Sequence, residues 1–240
     1  MKHNARKRIL VPLAAGVLAT LLLAGCTQPA TTTTTDADGN TVTIDWVDYP
    51  ANAGIPASDV LALPMAEEVE ARANQLISEV KDALEAEYGI TEWTTSNEGG
   101  WFPEEGNGYG GTSLLTTYNS ASYGAEIRIP VEQWDDVIDT VRTITQKYEI
   151  SEERNETYIE EYPEWMRFGG FYRGTESFDI MVQDDTLNPE HATSDSDDEL
   201  VTGVSLLYVI TTISKGDRDE FIQRAAPYEG LRLPEATTSD

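Results

Sequence analysis

Apolar residues recur every three or four positions through Met65, Val69, Ala73, Leu76, Ile77, Val80, Leu84 and Tyr88, while Glu67, Glu68, Glu70 and Glu79 take other sides of the wheel. That spacing predicts an amphipathic helix over Pro64 to Tyr88. Gly89 stops it, because glycine tolerates the left-handed backbone at a helix end. A second helix is marked by Trp134, Val137, Ile138, Val141, Ile144 and Tyr148 on one face. Pro130 stands at its start, and Glu132, Asp135 and Asp136 lie in the early turns, where carboxylates meet the positive end of the helix dipole. Both stripes read as core-facing surfaces rather than cofactor contacts.

Elsewhere the period falls to two. Tyr123, Ala125, Ile127 and Ile129 alternate with Glu126 and Arg128, the pattern of a half-exposed strand. Ser113 to Asn119 reads as a strand before it, joined by a tight turn. Met166 to Tyr172 and Phe178 to Val182 flank Arg173-Gly174-Thr175-Glu176 as a hairpin, and the more uniformly apolar Val201 to Ile213 fits a central strand. Val42, Ile44 and Trp46 alternate in a short strand or a segment laid against the domain, and Tyr49 to Pro64 reads as irregular. Asp217 and Glu220 form a capping-box variant opening a short helix through Phe221, Ile222 and Ala225. This order predicts an α+β fold: a mainly antiparallel sheet with the two amphipathic helices packed on one face, a two-layer sandwich.

The amino terminus follows a different rule. Four cations and no acid in the first eight residues lead into Ile9 to Ala24, apolar but for Thr20 and broken by Pro12 and Gly16. The run is shorter than the ~20 residues of a membrane span, so it reads as a cleaved export signal over residues 1–25. Leu23-Ala24-Gly25-Cys26 resembles a bacterial lipobox, which implies alkylation of the Cys26 thiol by a diacylglycerol, cleavage before it, and frequent acylation of the new amino terminus. Two or more chains hold a protein on a membrane where one lets it leave. The expected partner is therefore the membrane, reached through lipid at Cys26, on the outer face of the cytoplasmic membrane and exposed to the cell wall. Thr27 to Asn40, with Thr31 to Thr35 unbroken, has almost nothing apolar to bury and reads as a linker spanning about 45 Å when extended. Residues 41–235 then form a single domain, with a mobile acidic loop at 183–199.

Charge narrows the function classes. The chain holds 16 Lys+Arg, 43 Asp+Glu and two histidines. Cleavage before Cys26 removes four cations and no acid, leaving 12 against 43, a formal charge of −31. A field of this sign repels phosphate, which excludes nucleic acid as a partner and favours solubility outside the cell. His191 is the one histidine left, so a histidine-rich metal site within the chain is excluded, and a Ser-His-Asp triad would have to use it. Cys26 is the only cysteine. The exported fold must then hold by packing alone, with no internal disulfide.

The lipobox and Thr-rich spacer, a helix followed by Trp93, Tyr123-Gly124-Ala125 leading into strand and helix, Lys147-Tyr148 closing that helix, and the late Ile210-Thr211-Thr212-Ile213 strand together resemble LppA-type lipoproteins of actinobacteria. Gly108-Tyr109-Gly110-Gly111 followed by Thr117-Tyr118-Asn119-Ser120 is similar to segments of other actinobacterial lipoproteins. The resemblance spans residues 64 to 215 in pattern, implies an envelope lipoprotein of undefined activity, and brings no catalytic residues and no cofactor.

Among candidate sites, Gly106-Asn107-Gly108-Tyr109-Gly110-Gly111 has the spacing of a dinucleotide fingerprint, but the strand-like segment after it offers no helix to receive a pyrophosphate. It reads as a loop. Trp101, Phe102 and Tyr109 beside Glu104, Glu105 and Asn107 suit a sugar of the cell wall, flat rings beside carboxylates and amides. The competing reading is that the rings cover a core edge. Glycoside hydrolysis would need two carboxylates roughly 5–10 Å apart, with Glu104 or Glu105 as the candidates. Calcium would need more oxygen ligands in order than Asp36-Ala37-Asp38-Gly39-Asn40 or the Asp195 to Glu199 cluster supplies, so no metal is expected. The sequence thus points to a non-enzymatic, lipid-anchored binding or accessory module whose further partner is a cell-wall glycan or an envelope protein. A wall-directed hydrolase is the alternative, and a recessed carboxyl beside Trp101 would favour it.

Overall fold

A computed structural model describes residues 30–35, 39–153, 164–189 and 201–238. Cys26, His191, Asp36 to Asp38 and the Asp195 to Glu199 cluster lie outside them. The elements in chain order are β1 (Thr31–Thr35), β2 (Thr41–Asp45), α1 (Ala57–Leu61), α2 (Ala66–Tyr88), β3 (Trp93–Thr95), β4 (Gly100–Pro103), β5 (Thr116–Asn119), β6 (Tyr123–Glu126), α3 (Trp134–Lys147), β7 (Glu152–Glu153), β8 (Met166–Arg173), β9 (Glu176–Asp184), β10 (Thr202–Thr212) and α4 (Arg218–Ala225). The fold is α+β, with an eight-stranded antiparallel sheet and helices against it.

The helices follow the apolar stripes. Val69, Ala73, Leu76, Ile77, Val80 and Leu84 are the buried residues of α2, and Gly89 ends it in the left-handed conformation, φ 72°, its N–H returning to the Glu85 carbonyl. In α3 the buried face holds Trp134, Val137, Ile138, Val141 and Ile144. Both faces meet the same side of the sheet, where Phe171, Phe178, Ile180, Val182, Val204, Leu206 and Tyr208 complete the main core. Burying a side chain of this size contributes about 1.5–3 kcal/mol, so this layer holds the sandwich together.

β10 is the central strand. On one side it pairs with β9 along Thr202 to Ile210, and on the other with both β5 and β6. The expected tight turn between those two strands is absent: Asn119 lies opposite Val209 and Tyr123 opposite Leu206, so β5 and β6 are pieces of one interrupted strand. Ser120 bridges the break, its backbone N–H donating to the Tyr208 carbonyl and its hydroxyl accepting from the Tyr208 N–H. The short strands β3, β4 and β7 extend the sheet through pairings that no apolar alternation announced. The capping arrangement before α4 also differs: Ser214 Oγ, not Glu220, meets Asp217, donating to its carboxylate at 2.7 Å and accepting its N–H.

The Thr-rich segment departs most from expectation. Thr31–Thr35 is not a linker but a strand, paired in register with Thr41–Asp45. β-branched threonines suit an extended backbone, and a structured neighbour decides the matter. Ala30 is buried and its carbonyl accepts the Trp46 N–H at 2.9 Å, while Trp46 Nε1 donates to Thr32 Oγ1 at 2.8 Å. Trp46 itself has no exposure and stacks among Tyr49, Tyr109 and Tyr228, with ring centroids 5.2, 5.5 and 4.7 Å away. These rings, with Val60, Leu115, Ile213 and Phe221, form a second apolar cluster. At 183–199, Asp184 and Asp185 are likewise part of the fold: Asp184 closes β9 and accepts from Thr186 and Thr202. Residues 190–199 lie outside the described segments.

Candidate functional site

The six residues expected to form a ligand patch are parted by the pleat of β4 and by the loop after it. Trp101 turns to the helix side, where it tilts against Tyr118 at 5.0 Å and its Nε1 donates to Glu70 of α2 at 2.8 Å. Phe102 faces the other side of the sheet and is 53% exposed. Glu104 stays near it, accepting from Thr117 Oγ1 at 2.7 Å and from Asn52 Nδ2 at 3.3 Å, and Glu105 is exposed. Asn107 and Tyr109 point inward. The Asn107 amide donates to the carbonyls of Val47 and Tyr49, at 3.0 and 2.8 Å, and its Oδ1 accepts the N–H groups of Tyr109 and Gly111. The Tyr109 hydroxyl donates to the Pro234 carbonyl. These two residues hold the second cluster together and leave no polar group for a sugar.

The glycine-rich loop also has a packing reason. Gly108 and Gly110 have φ of 76° and 88°, and a Cβ on Gly111 would fall 1.7 Å from the Val47 carbonyl oxygen. The chain then runs into β5 and not into a helix, so no helix N-terminus waits for a phosphate. Among the described residues no His, Cys, Asp or Glu side chains gather in a group that could hold a metal ion.

Asp184 and Asp185 are buried, and the most deeply recessed acid among the described residues is Glu176, at the start of β9 and distant in sequence from the aromatic loop. It has no exposure. Arg72 of α2 reaches it through Nε at 2.7 Å and Nη2 at 3.2 Å, and the Tyr208 hydroxyl donates to the same carboxylate at 2.7 Å. Arg72 also donates to the Tyr148 carbonyl at 2.5 Å, its guanidinium lying 5.2 Å from that ring's centre. Burial pulls the guanidinium toward losing its proton, yet the Glu176 pair outweighs this and pushes it up. Burial first, then Glu176, pushes the Tyr208 phenol up. Sequence reasoning missed this network because Arg72 and Glu176 stand 104 positions apart. The available signals are a cation set inside the apolar stripe of α2, between Val69 and Ala73, and an acid at the start of β9.

Two grooves stand out on the surface. One, about 700 Å³, runs between α2 and α3 and is walled by Glu79, Asp82, Glu87, Asp136 and Asp139. The other, about 650 Å³, lies beside the second cluster, between α1, α4 and the carboxy-terminal segment, and its walls are mostly aliphatic: Leu61, Ile222, Ala225, Leu231 and Leu233 with Tyr49 and Tyr228. The two tyrosine hydroxyls are already bonded, to the carbonyls of Ile55 and Asp45.

No family profile matches this chain, and no curated protein matches it. Among solved structures it is similar to that of LppA, a candidate lipoprotein from Mycobacterium tuberculosis, with 10% identity over 77% of this chain and 90% of that one, at a TM-score of 0.40. A likeness of that size carries no conclusion about function, which rests on the residues themselves.

Proposed function

We propose that this protein is an exported lipoprotein whose non-enzymatic α+β domain is moored by Cys26 on the outer face of the cytoplasmic membrane and serves there as a binding or accessory module. The observation that carries the reading is the position of Leu23-Ala24-Gly25-Cys26 relative to the fold. Cys26 precedes the buried Ala30 by four residues, which extend about 14 Å at most. The domain therefore stands close over the bilayer, and not at the end of a 45 Å tether. An envelope protein or a lipid at that surface is within its reach. A cell-wall glycan has less support, because the aromatic patch does not converge.

The non-enzymatic reading is supported by the state of Glu176. Its carboxylate has no exposure and both its oxygens are engaged by Arg72 and Tyr208, so no opening leads a substrate to it. Labelling with an alkyne fatty acid tests the anchor. The wild-type chain takes the label and sediments with membranes, while Cys26→Ser takes none and appears in the medium. An unlabelled wild-type protein in the cytosol, still carrying residues 1–25, overturns the reading.

A further inference from the structure

We infer that the aliphatic groove beside the second cluster holds one acyl chain of the protein's own lipidated Cys26. This rests on the proposed lipidation. Three observations lead to it. The groove, about 650 Å³, is within the size range of small-ligand sites and its walls are Leu61, Ile222, Ala225, Leu231 and Leu233. Its tyrosine hydroxyls donate to the carbonyls of Ile55 and Asp45, so the interior suits hydrocarbon and offers little to a peptide backbone seeking hydrogen bonds. Ile222 is 42% exposed, a large aliphatic side chain left facing the opening.

Reach selects the occupant. Ala30 bonds to Trp46, the Trp46 ring lies 4.7 Å from that of Tyr228, and Tyr228 is a wall of the groove. Cys26 is four residues from Ala30, a span of about 14 Å at most, so an acyl chain on its sulfur is within reach of the groove. A ligand tethered this closely has an effective concentration in the millimolar range, ahead of any free lipid. Glu229 at the rim and the acidic body disfavour an anionic headgroup arriving from solution. The remaining chains enter the bilayer, and the groove-bound one fixes how the domain sits on it.

The test compares purified lipidated protein, in detergent-free nanodiscs and with empty nanodiscs subtracted, with the secreted Cys26→Ser protein, using the uncharged apolar fluorophore N-phenyl-1-naphthylamine as probe. The Cys26→Ser protein should bind the probe, and the added pair Ile222→Glu and Leu233→Glu should weaken that binding at least tenfold while circular dichroism confirms the fold. The lipidated protein should bind at least tenfold more weakly, with slowed amide exchange over 56–61 and 222–233. No probe binding to Cys26→Ser overturns the inference. Equal binding by both proteins overturns it in favour of an external lipid. Intact mass separates the two readings: lipid present with the groove open sinks this inference alone, and lipid absent sinks it together with the anchor.

Discussion

Arg72 and Glu176 face each other across the interface between helix and sheet, Nε to Oε1 at 2.7 Å, and the carboxylate has no exposure at all. Such a pair joins α2 to the start of β9 by a charge-assisted contact that only one relative placement of the two layers satisfies. Removing one partner strands the other in the core. Arg72→Met is expected to destabilise the domain by about 3–5 kcal/mol, Tyr208→Phe by about 1–2, and Arg72→Met with Glu176→Leu to recover most of the loss. Urea midpoints at unchanged slope measure all three. A harmless Arg72→Met would show that the pair does not hold the layers.

Alkaline pH should loosen the fold through two tyrosines, the buried Tyr49 and the half-buried Tyr148. Burial pushes Tyr49 up to about 12, and burial together with the Glu79 hydrogen bond does the same to Tyr148. A folded-state value above the unfolded one of about 10 means that the neutral phenol is favoured by folding. That stability is complete below pH ~10 and disappears as pH rises through about 12. Absorbance of tyrosinate should therefore lag the exposed tyrosines and rise together with unfolding. Simple titration of every tyrosine near pH 10 with the fold intact would contradict this.

Asn107 serves as a five-bond hub between the glycine-rich loop and the segment after β2. Asn107→Ala leaves several buried backbone groups unpaired and should cost at least ~3 kcal/mol. Asn107→Asp should be worse at neutral pH, since it turns a carboxylate oxygen toward the Val47 and Tyr49 carbonyls. Thermal unfolding of the two variants gives the order.

Two glycines are sites where any side chain collides. A Cβ at Gly203 would lie 2.0 Å from the Ala125 carbonyl oxygen, and one at Gly111 1.7 Å from that of Val47. Gly203→Ala should break the pairing of β6 with β10, and Gly111→Ala should lift the Trp46 segment. Amide exchange at 123–126 and at 42–49 reads each effect separately, and unchanged protection in either region refutes it.

Titration with cell-wall oligosaccharides should leave tryptophan emission unchanged at millimolar ligand. Trp101 is turned toward Glu70 and Tyr118, away from Phe102, so no paired aromatic surface receives a sugar ring. A saturable shift abolished by Phe102→Ala would restore the glycan as partner.

How much was legible depended on whether the cause was local. The stripes of α2 and α3, the alternation of β6 and the apolar run of β10 are each written within one segment, because an element beside a core must place its apolar positions at its own period. Trp101, Phe102, Glu104 and Asn107 are neighbours in the chain, and that nearness alone suggests a common patch. The pleat of β4 separates the first two, and the buried carbonyls of Val47 and Tyr49 claim Asn107. Nearness in sequence carried no information about which face each side chain would take.

By itself the chain determined the α+β class, the two core-facing helices, the central strand and the acidity that disfavours polyanions. Tertiary structure alone decided that Thr31–Thr35 is a strand, that β5 and β6 are one interrupted strand, and that Glu176 is paired with Arg72. The physical reason is common to all three: each depends on a partner far away in sequence. A threonine run is equally content in water or in a ladder, and a carboxylate in solvent or against a guanidinium, until packing brings that partner within bonding distance.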